Sequence, residues 1–370
     1  MCTSLIYRDA AGRAYLGRTL ELTIALPYQV AWFPAGFETV SQVEGEARMV
    51  FAARHGVLAV TMPAQLPAEG QQSRFQDLKI LEGLNSAGLT FSLLSYPSAG
   101  GGKHAAAMTQ AVLGASELGA WALGQFSTVD EVKAALAAQP VMLQPLAILG
   151  GVRSPFHYVV HDAAGRSLVI EFDDGEMSLY DNPVGVMTNG PAFPWHLTNL
   201  GNYTFLTNVD VPAARFGDYT ATQPDSGIAT SGLPSSNTSV GRFVRAAFFA
   251  KYAEKAQTPD AAVATLAHVM NNFDRARGIS IDYPQAGGGH LEVAGLEAEK
   301  GSAYATEFTS WTSLTDMDRL IFFIRDYSGL NYSRLDLSAL KALTEPRALP
   351  LATLSNAAAD ATGRLMAASA

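Results

Sequence analysis

Runs in which apolar and polar positions alternate fill the N-terminal part of the chain, broken by short clusters of Gly, Asn, Asp and Pro. A period of two is the mark of a half-buried strand. It predicts strands over Cys2–Tyr7 and Ala14–Leu22, joined by Arg8-Asp9-Ala10-Ala11-Gly12-Arg13, where Gly12 supplies the positive φ of a tight turn. Similar runs cover Gln29–Phe33 and Met49–Met62. Leu81–Leu93 reads as strand, Asn85-Ser86-Ala87-Gly88 turn and strand, ending at Leu94-Ser95-Tyr96-Pro97, and the glycine-rich stretch Ser98–Lys103 reads as a mobile loop.

The period then becomes helical over Ala105–Leu123, and Ser127-Thr128-Val129-Asp130 opens a second helix that runs to about Gln139. Phe156–His161 and Ser167–Phe172 flank Asp162-Ala163-Ala164-Gly165-Arg166, which repeats the first turn, and Glu176–Tyr180 and Val184–Pro191 add strand character. A long segment rich in Asn, Thr, Pro and Gly spans 192–234; loops of that length serve function or assembly. Helices follow over Ser239–Ala256, beginning near Arg242, and from Thr258 to about Asn271. Val293–Glu299, Ala303–Ser313 and Arg319–Tyr327 read as closing strands, and an Ala/Leu-rich tail from Ser338 fits no assigned element. Strands in two groups, each followed by helices, argue against a doubly wound parallel sheet. The pattern predicts an α+β fold of four layers, two antiparallel sheets inside and helices outside, as a single domain over 1–370.

Composition narrows the function. Of 370 residues, 48% are apolar and 16% charged, enough for a large core. A net charge of −9 with no Lys/Arg-rich block argues against nucleic acid as a partner. The chain has no apolar run long enough to span a bilayer and no signal-peptide pattern. Those features fit a cytoplasmic protein, or a periplasmic or secreted one whose leader has been removed. A single cysteine excludes an internal disulfide framework and a paired-cysteine zinc site. None of the seven histidines stands at a convincing metal-ligand spacing, so no metal or other cofactor is expected.

That one cysteine is Cys2. Once Met1 is removed, a thiol and a free α-amine share one residue, a nucleophile with its own base. An α-amine has a pKa of about 7.7–8.0, suited to that task near neutrality. The predicted hairpin returns Arg18, Thr19 and Glu21 beside Cys2. A guanidinium there favours thiolate and a carboxylate can hold a protonated α-amine. From residue type alone, Asn189 in Asn189-Gly190-Pro191 is a turn residue. Arg242, at a helix start, works against the helix dipole unless it serves an internal carboxylate or a substrate anion.

Met1-Cys2-Thr3, Gly17-Arg18-Thr19, Asn85-Ser86-Ala87-Gly88-Leu89, Thr188-Asn189-Gly190-Pro191-Ala192-Phe193-Pro194-Trp195-His196 and Gly241-Arg242-Phe243-Val244-Arg245 stand in an order that resembles the choloylglycine hydrolase family. That family of N-terminal nucleophile hydrolases includes bile salt hydrolases and penicillin V acylases, and the resemblance runs from Cys2 to about Ser313. It implies a linear amide hydrolase with Cys2 as nucleophile and Arg18 against the thiol. Glu21 would anchor the α-amine from a position where better-known members have Asp. The Asn189 side chain and the Ser95 backbone N–H would hold the oxyanion, and Arg242 would complete the polar cluster. Substrates would be acyl amides with a bulky apolar acyl half: penicillin V or an N-acyl homoserine lactone ahead of a conjugated bile acid. The aromatics Phe91, Tyr96, Phe193 and Trp195 are expected to line the acyl pocket. The 192–234 segment resembles the family's assembly loop and implies a homotetramer. An acyltransferase on the same fold, or a binding protein that keeps Met1, are the alternatives. Departures from the family pattern are Glu21, Leu22, Ser95 (where bile salt hydrolases carry Asn and penicillin acylases Tyr) and the run Ser235–Val240 before Arg242.

Overall fold

In the computed structural model, the described residues are 1–68, 71, 73–97, 111–283, 304–356, 358, 362 and 366. The strands of the two large sheets, in chain order, are β1 (Cys2–Arg8), β2 (Ala14–Leu22), β3 (Gln29–Phe33), β4 (Val57–Pro63), β5 (Leu78–Asn85) and β6 (Thr90–Ser95). After helices α1 (Leu118–Gln125) and α2 (Val129–Leu136) come β7 (Phe156–His161), β8 (Ser167–Asp173), β9 (Glu176–Asp181) and β10 (Val186–Met187). Helices α3 (Phe193–Leu200), α4 (Ser239–Tyr252) and α5 (Pro259–Met270) precede β11 (Phe308–Asp316), β12 (Ile321–Asp326), β13 (Ser333–Asp336) and β14 (Arg347–Pro350).

One sheet has the order β10-β1-β2-β11-β12-β13 and the other β9-β8-β7-β6-β5-β4-β3-β14, both antiparallel throughout. Glycines show which face meets which layer. A Cβ on Gly17 would fall 2.5 Å from Met270 Sδ, so that face of β2 lies directly under α5. A Cβ on Gly83 would fall 2.7 Å from Leu123 Cδ1, so that face of β5 lies under α1. Side chains alternate along a strand. Arg18 and Glu82, next to these glycines, therefore point into the space between the sheets, where they meet. The order is helix, sheet, sheet, helix, and this α+β sandwich is the predicted one.

The two repeated turns have the same build. Asp9 Oδ1 accepts from the N–H of Ala11 and of Arg13, both at 2.9 Å, and Asp162 Oδ1 accepts from Arg166 N–H at 3.0 Å. The Arg8 guanidinium donates to Gly12 O, Ala164 O and Gly165 O, tying the two turns together.

Several expectations need correction. Within the predicted helix Ala105–Leu123, residues up to 110 lie outside the described ones, as does the Ser98–Lys103 loop. The remainder makes a 3-10 turn over Ala115–Glu117 and becomes α-helical only at Leu118, because Leu113–Gly114 pairs with Val141–Met142 in a short parallel ladder. Helix α4 starts at Ser239 as read, where the Thr238 hydroxyl accepts from Gly241 N–H and caps it, but ends at Tyr252 rather than Ala256. The 192–234 segment is not loop throughout: it holds α3, with Pro194 in the first turn, and a hairpin pairing Ala213–Phe216 with Tyr219–Thr222. The C-terminal tail returns as β14, the outer strand beside β3. The predicted strand Val293–Glu299 lies outside the described residues.

Candidate active site

The β1–β2 hairpin pairs Cys2 with Leu20 and Ser4 with Arg18, so the register brings Arg18, Thr19 and Glu21 alongside the cysteine as expected. Cys2 is buried and lines a cavity of about 530 Å³. Leu20, Leu22, Ile24 and Leu26 form one apolar wall of it and Leu146, Ile148 and Leu149 another.

Asn189 holds this end of the cavity together. Its Oδ1 accepts from the Cys2 backbone N–H at 2.8 Å and from Arg242 Nη2 at 2.7 Å, and its Nδ2 donates to Ser95 O at 2.7 Å. The amide thus bridges β1 of one sheet and β6 of the other. Its backbone is fixed as well: Asn189 N–H donates to Ser239 Oγ at 2.9 Å, and His196 Nε2 donates to Asn189 O at 2.9 Å. His196 is fully buried and stacks on Phe243 of α4 at 4.5 Å. The residue before Asn189 is held too, since His157 Nε2 donates to Thr188 O at 2.9 Å while His157 Nδ1 meets Glu171 Oε1 at 3.0 Å.

Ser95 lines the cavity and faces Asn189 through its backbone. The Tyr96 N–H donates to Pro155 O at 2.7 Å, so Tyr96 belongs to a hydrogen-bonded pair of the β6–β7 ladder. Pairs alternate in an antiparallel ladder, so Ser95, opposite Phe156, is in the kind that exchanges no bonds. The Ser95 N–H and C=O therefore point together toward the Asn189 side.

Arg242 projects from the first turn of α4 and is fully buried. It donates to Cys2 O, to Thr3 Oγ1 at 2.8 Å and from Nε to Asn237 O at 3.0 Å. Burial pulls its guanidinium down to about 10, against the opposing pull of Glu21, and it remains a cation at neutral pH. Arg18 lies deeper than the cavity wall. It donates to Leu93 O at 2.6 Å and to Thr19 O, its Nε is 3.6 Å from Glu82 Oε2, and it sits 5.5 Å from the Trp311 ring. Burial, only partly offset by Arg18, pushes Glu82 up to about 8. Glu21 lines the cavity, where its Oε1 accepts from Thr309 Oγ1 at 3.4 Å. It is the Glu21 carbonyl that accepts from the Met1 α-ammonium, at 2.5 Å, and the Met1 carbonyl accepts from Glu21 N–H at 2.7 Å.

Of the expected acyl-pocket aromatics, none lines the cavity. Phe91 stacks on Tyr158 and Tyr96 on His157, Phe193 packs between Tyr180 and Phe243, and Trp195 is half-exposed on α3. The apolar walls are instead mainly aliphatic, from the end of β2 with the segment after it and from 145–149, with Tyr28 and Phe156 and the charged Arg74, Asp77, Lys79 and Glu117 also on the lining. Sequence reasoning also missed Glu307, whose Oε1 is 2.8 Å from the Met1 ammonium, and Arg275, which donates to Glu307 Oε2 at 2.5 Å. It missed Tyr28 as well, whose buried ring lines the cavity edge-on to Trp311. These three come from distant segments with no spacing to connect them to Cys2. Among the described residues, no cluster of His, Cys, Asp and Glu could hold a metal ion, and no helix is long and apolar enough to cross a membrane.

Known proteins similar to this chain were found by sequence and by fold. A bile salt hydrolase/transferase from Clostridium perfringens is 23% identical over 344 residues, covering 91% of this chain and 93% of the relative. Another bile salt hydrolase/transferase, from Lactiplantibacillus plantarum, is 33% identical over 60% of this chain and 65% of its own length. The fold superimposes on a conjugated bile acid hydrolase variant of C. perfringens with a TM-score of 0.75 at 22% identity, covering 94% and 96% of the two chains. A penicillin V acylase from Agrobacterium tumefaciens gives a TM-score of 0.70 at 20% identity, covering 95% and 92%. The sequence profile described as "Linear amide C-N hydrolases, choloylglycine hydrolase family" matches residues 2–286, and the chain belongs to that family of hydrolases.

Proposed function

We propose that Cys2, once Met1 has been removed, cleaves a linear amide with an apolar acyl half. The α-amine takes the thiol proton and the thiolate sulfur attacks the amide carbonyl. The tetrahedral oxyanion is held by Asn189 Nδ2 and the Ser95 N–H. An amide NH2 has two N–H groups; one meets Ser95 O, and the other serves the oxyanion. The C–N bond breaks, the α-ammonium returns its proton to the leaving amine, and water hydrolyses the thioester. Arg242 holds the Cys2 carbonyl and the Asn189 oxygen, and thus keeps nucleophile and donor in register. Arg18 and Glu21 set the charge around them from below and beside.

The observation that supports this reading most is the Asn189 amide, bonded at once to Cys2 N and Ser95 O beside an aliphatic cavity. The aliphatic walls suit an acyl chain or an aryl-acetyl group, and penicillin V and N-acyl homoserine lactones are placed ahead of conjugated bile acids. The test is a panel of these three amides against protein whose N-terminus has been checked by mass, with Cys2→Ala as control. Cleavage of at least one, abolished in the control, is the expected result; no cleavage by correctly processed protein would contradict the reading. Relatives named hydrolase/transferase favour a second outcome, in which an added amine captures the thioester. Product analysis with a competing amine detects it.

For assembly we propose a homotetramer built through the hairpin of the 192–234 segment. Its Phe216 and Tyr219 are 68% and 70% exposed, an apolar tip suited to a neighbouring subunit.

A further inference from the structure

The place filled by Met1 is itself a binding site. Its α-ammonium is held by two acceptors, Glu307 Oε1 at 2.8 Å and Glu21 O at 2.5 Å. The Met1 thioether lies 3.3 Å from Arg242 Nη2. Glu307 is mostly buried. Burial raises its pKa, but with Met1 in place the α-ammonium, then Arg275 and Arg242, outweigh this and hold the carboxyl below its usual value; once Met1 has gone, the ion pair with Arg275 is what keeps Glu307 a carboxylate.

The two nearby cations are both held by protein acceptors, Arg275 by Glu307 itself, while Arg242 Nη2 also borders the Met1 side chain. Arg275 donates to Glu307 Oε2 and to Asn237 O, and Arg242 donates to Cys2 O, Thr3 Oγ1 and Asn237 O and through Nη2 to Asn189 Oδ1. Around the ammonium the wall therefore presents acceptors. Met1 also lines the cavity, so its departure opens these acceptors to whatever occupies the cavity beside the Cys2 amine.

Resting on the amidohydrolase reading, we propose that Glu307 and the Glu21 carbonyl form the subsite for the amine half of the substrate, and that this subsite selects against an acid there. The amine leaves from the side of the Cys2 α-amine that protonates it, which is where Met1 is attached. A donor-bearing or cationic amine half satisfies the two acceptors. A carboxylate or sulfonate faces the ionised Glu307 and is disfavoured. Amino acid and taurine conjugates, and penicillin V, carry an acid on that half, so of the two amides ranked first above the subsite favours the acyl homoserine lactone over penicillin V.

Three amides with one acyl group test this: phenoxyacetyl amides of ethylenediamine, ethanolamine and glycine. Processed wild type is expected to prefer the ammonium and hydroxyl amides over the carboxylate by about tenfold or more in kcat/KM, and Glu307→Gln to erase most of that preference, chiefly through KM. Ratios within one preparation do not depend on how much of the variant is folded. As a readout that needs no turnover, ethylenediamine alone is expected to bind processed Cys2→Ala protein, and more weakly after Glu307→Gln. An unchanged ratio in Glu307→Gln would overturn the subsite while leaving the hydrolase intact. So would an equal loss of kcat on all three amides, which would mean that Glu307 holds the Cys2 amine. A wild-type preference for the glycine amide, pointing to Arg74 or Lys79 of the cavity wall, would overturn it as well. If no amide is cleaved and ethylenediamine does not bind, the hydrolase reading fails first and the subsite with it.

Discussion

Asn189 is the residue on which the site turns, because one side chain meets Cys2 N, Arg242 and Ser95 O. Asn189→Ala removes an oxyanion donor and the brace on Cys2. It is expected to lower kcat by about 10²–10³-fold with a smaller effect on KM, read by steady-state kinetics. A loss confined to KM would assign Asn189 to substrate binding instead. Legibility at this scale was uneven. Cys2 stood out because nothing else in the chain offers a thiol, and hairpin arithmetic placed Arg18 and Glu21 beside it. Asn189 and Arg242 were visible only as parts of motifs, since their own types read as a turn and a surface charge. Glu307, Arg275 and Tyr28 left no local signal, because a side chain that reaches a site from a separate connecting segment is fixed by tertiary packing alone.

At the scale of elements, the space between the sheets holds titratable groups whose burial ties stability to pH. On β7, burial lowers His161 to about 3. Between about 3 and the ordinary histidine value of about 6.5 the unfolded chain binds more protons, so stability rises with pH there and is lost on acidification. Glu82 on β5 has the opposite sign. With a folded value of about 8 against an unfolded value near 4.3, the native state holds more protons over that window, so stability falls as pH rises through it. Glu82→Gln is expected to flatten the alkaline fall in Tm and His161→Asn the acid one, in melts from pH 4 to 9. An unchanged slope in either variant would contradict the assignment. Strands were the legible elements here: the hairpins at Ala10–Ala11 and Ala163–Ala164 lie where the alternating pattern and turn residues put them. Helix α1 was misjudged because an Ala-rich stretch has helical propensity whether or not a strand pairing claims part of it, as it does at Leu113–Gly114.

At the scale of the whole molecule, the order of layers followed from strand grouping, but the closing of the sheets did not. Strand β14 arrives from a tail with no clear pattern to pair with β3, and the Leu343 carbonyl accepts from Trp32 Nε1 at 3.3 Å. Assembly belongs to this scale too. Replacing Phe216 and Tyr219 with Ser is expected to reduce the mass seen by light scattering from tetramer toward monomer or dimer, with Tm of the isolated subunit little changed. A wild-type monomer would contradict the proposed tetramer.

The central claim is that an N-terminal Cys2 carries the acyl group of a linear amide. The most direct measurement is the intact mass of the protein, alone and acid-quenched during turnover of phenoxyacetyl-ethanolamine. The account predicts a chain lacking Met1 and, in the quenched sample, a further mass equal to one phenoxyacetyl group on the N-terminal peptide, absent in Cys2→Ala. Turnover by a chain that retains Met1, or an acyl group on any other peptide, would contradict it.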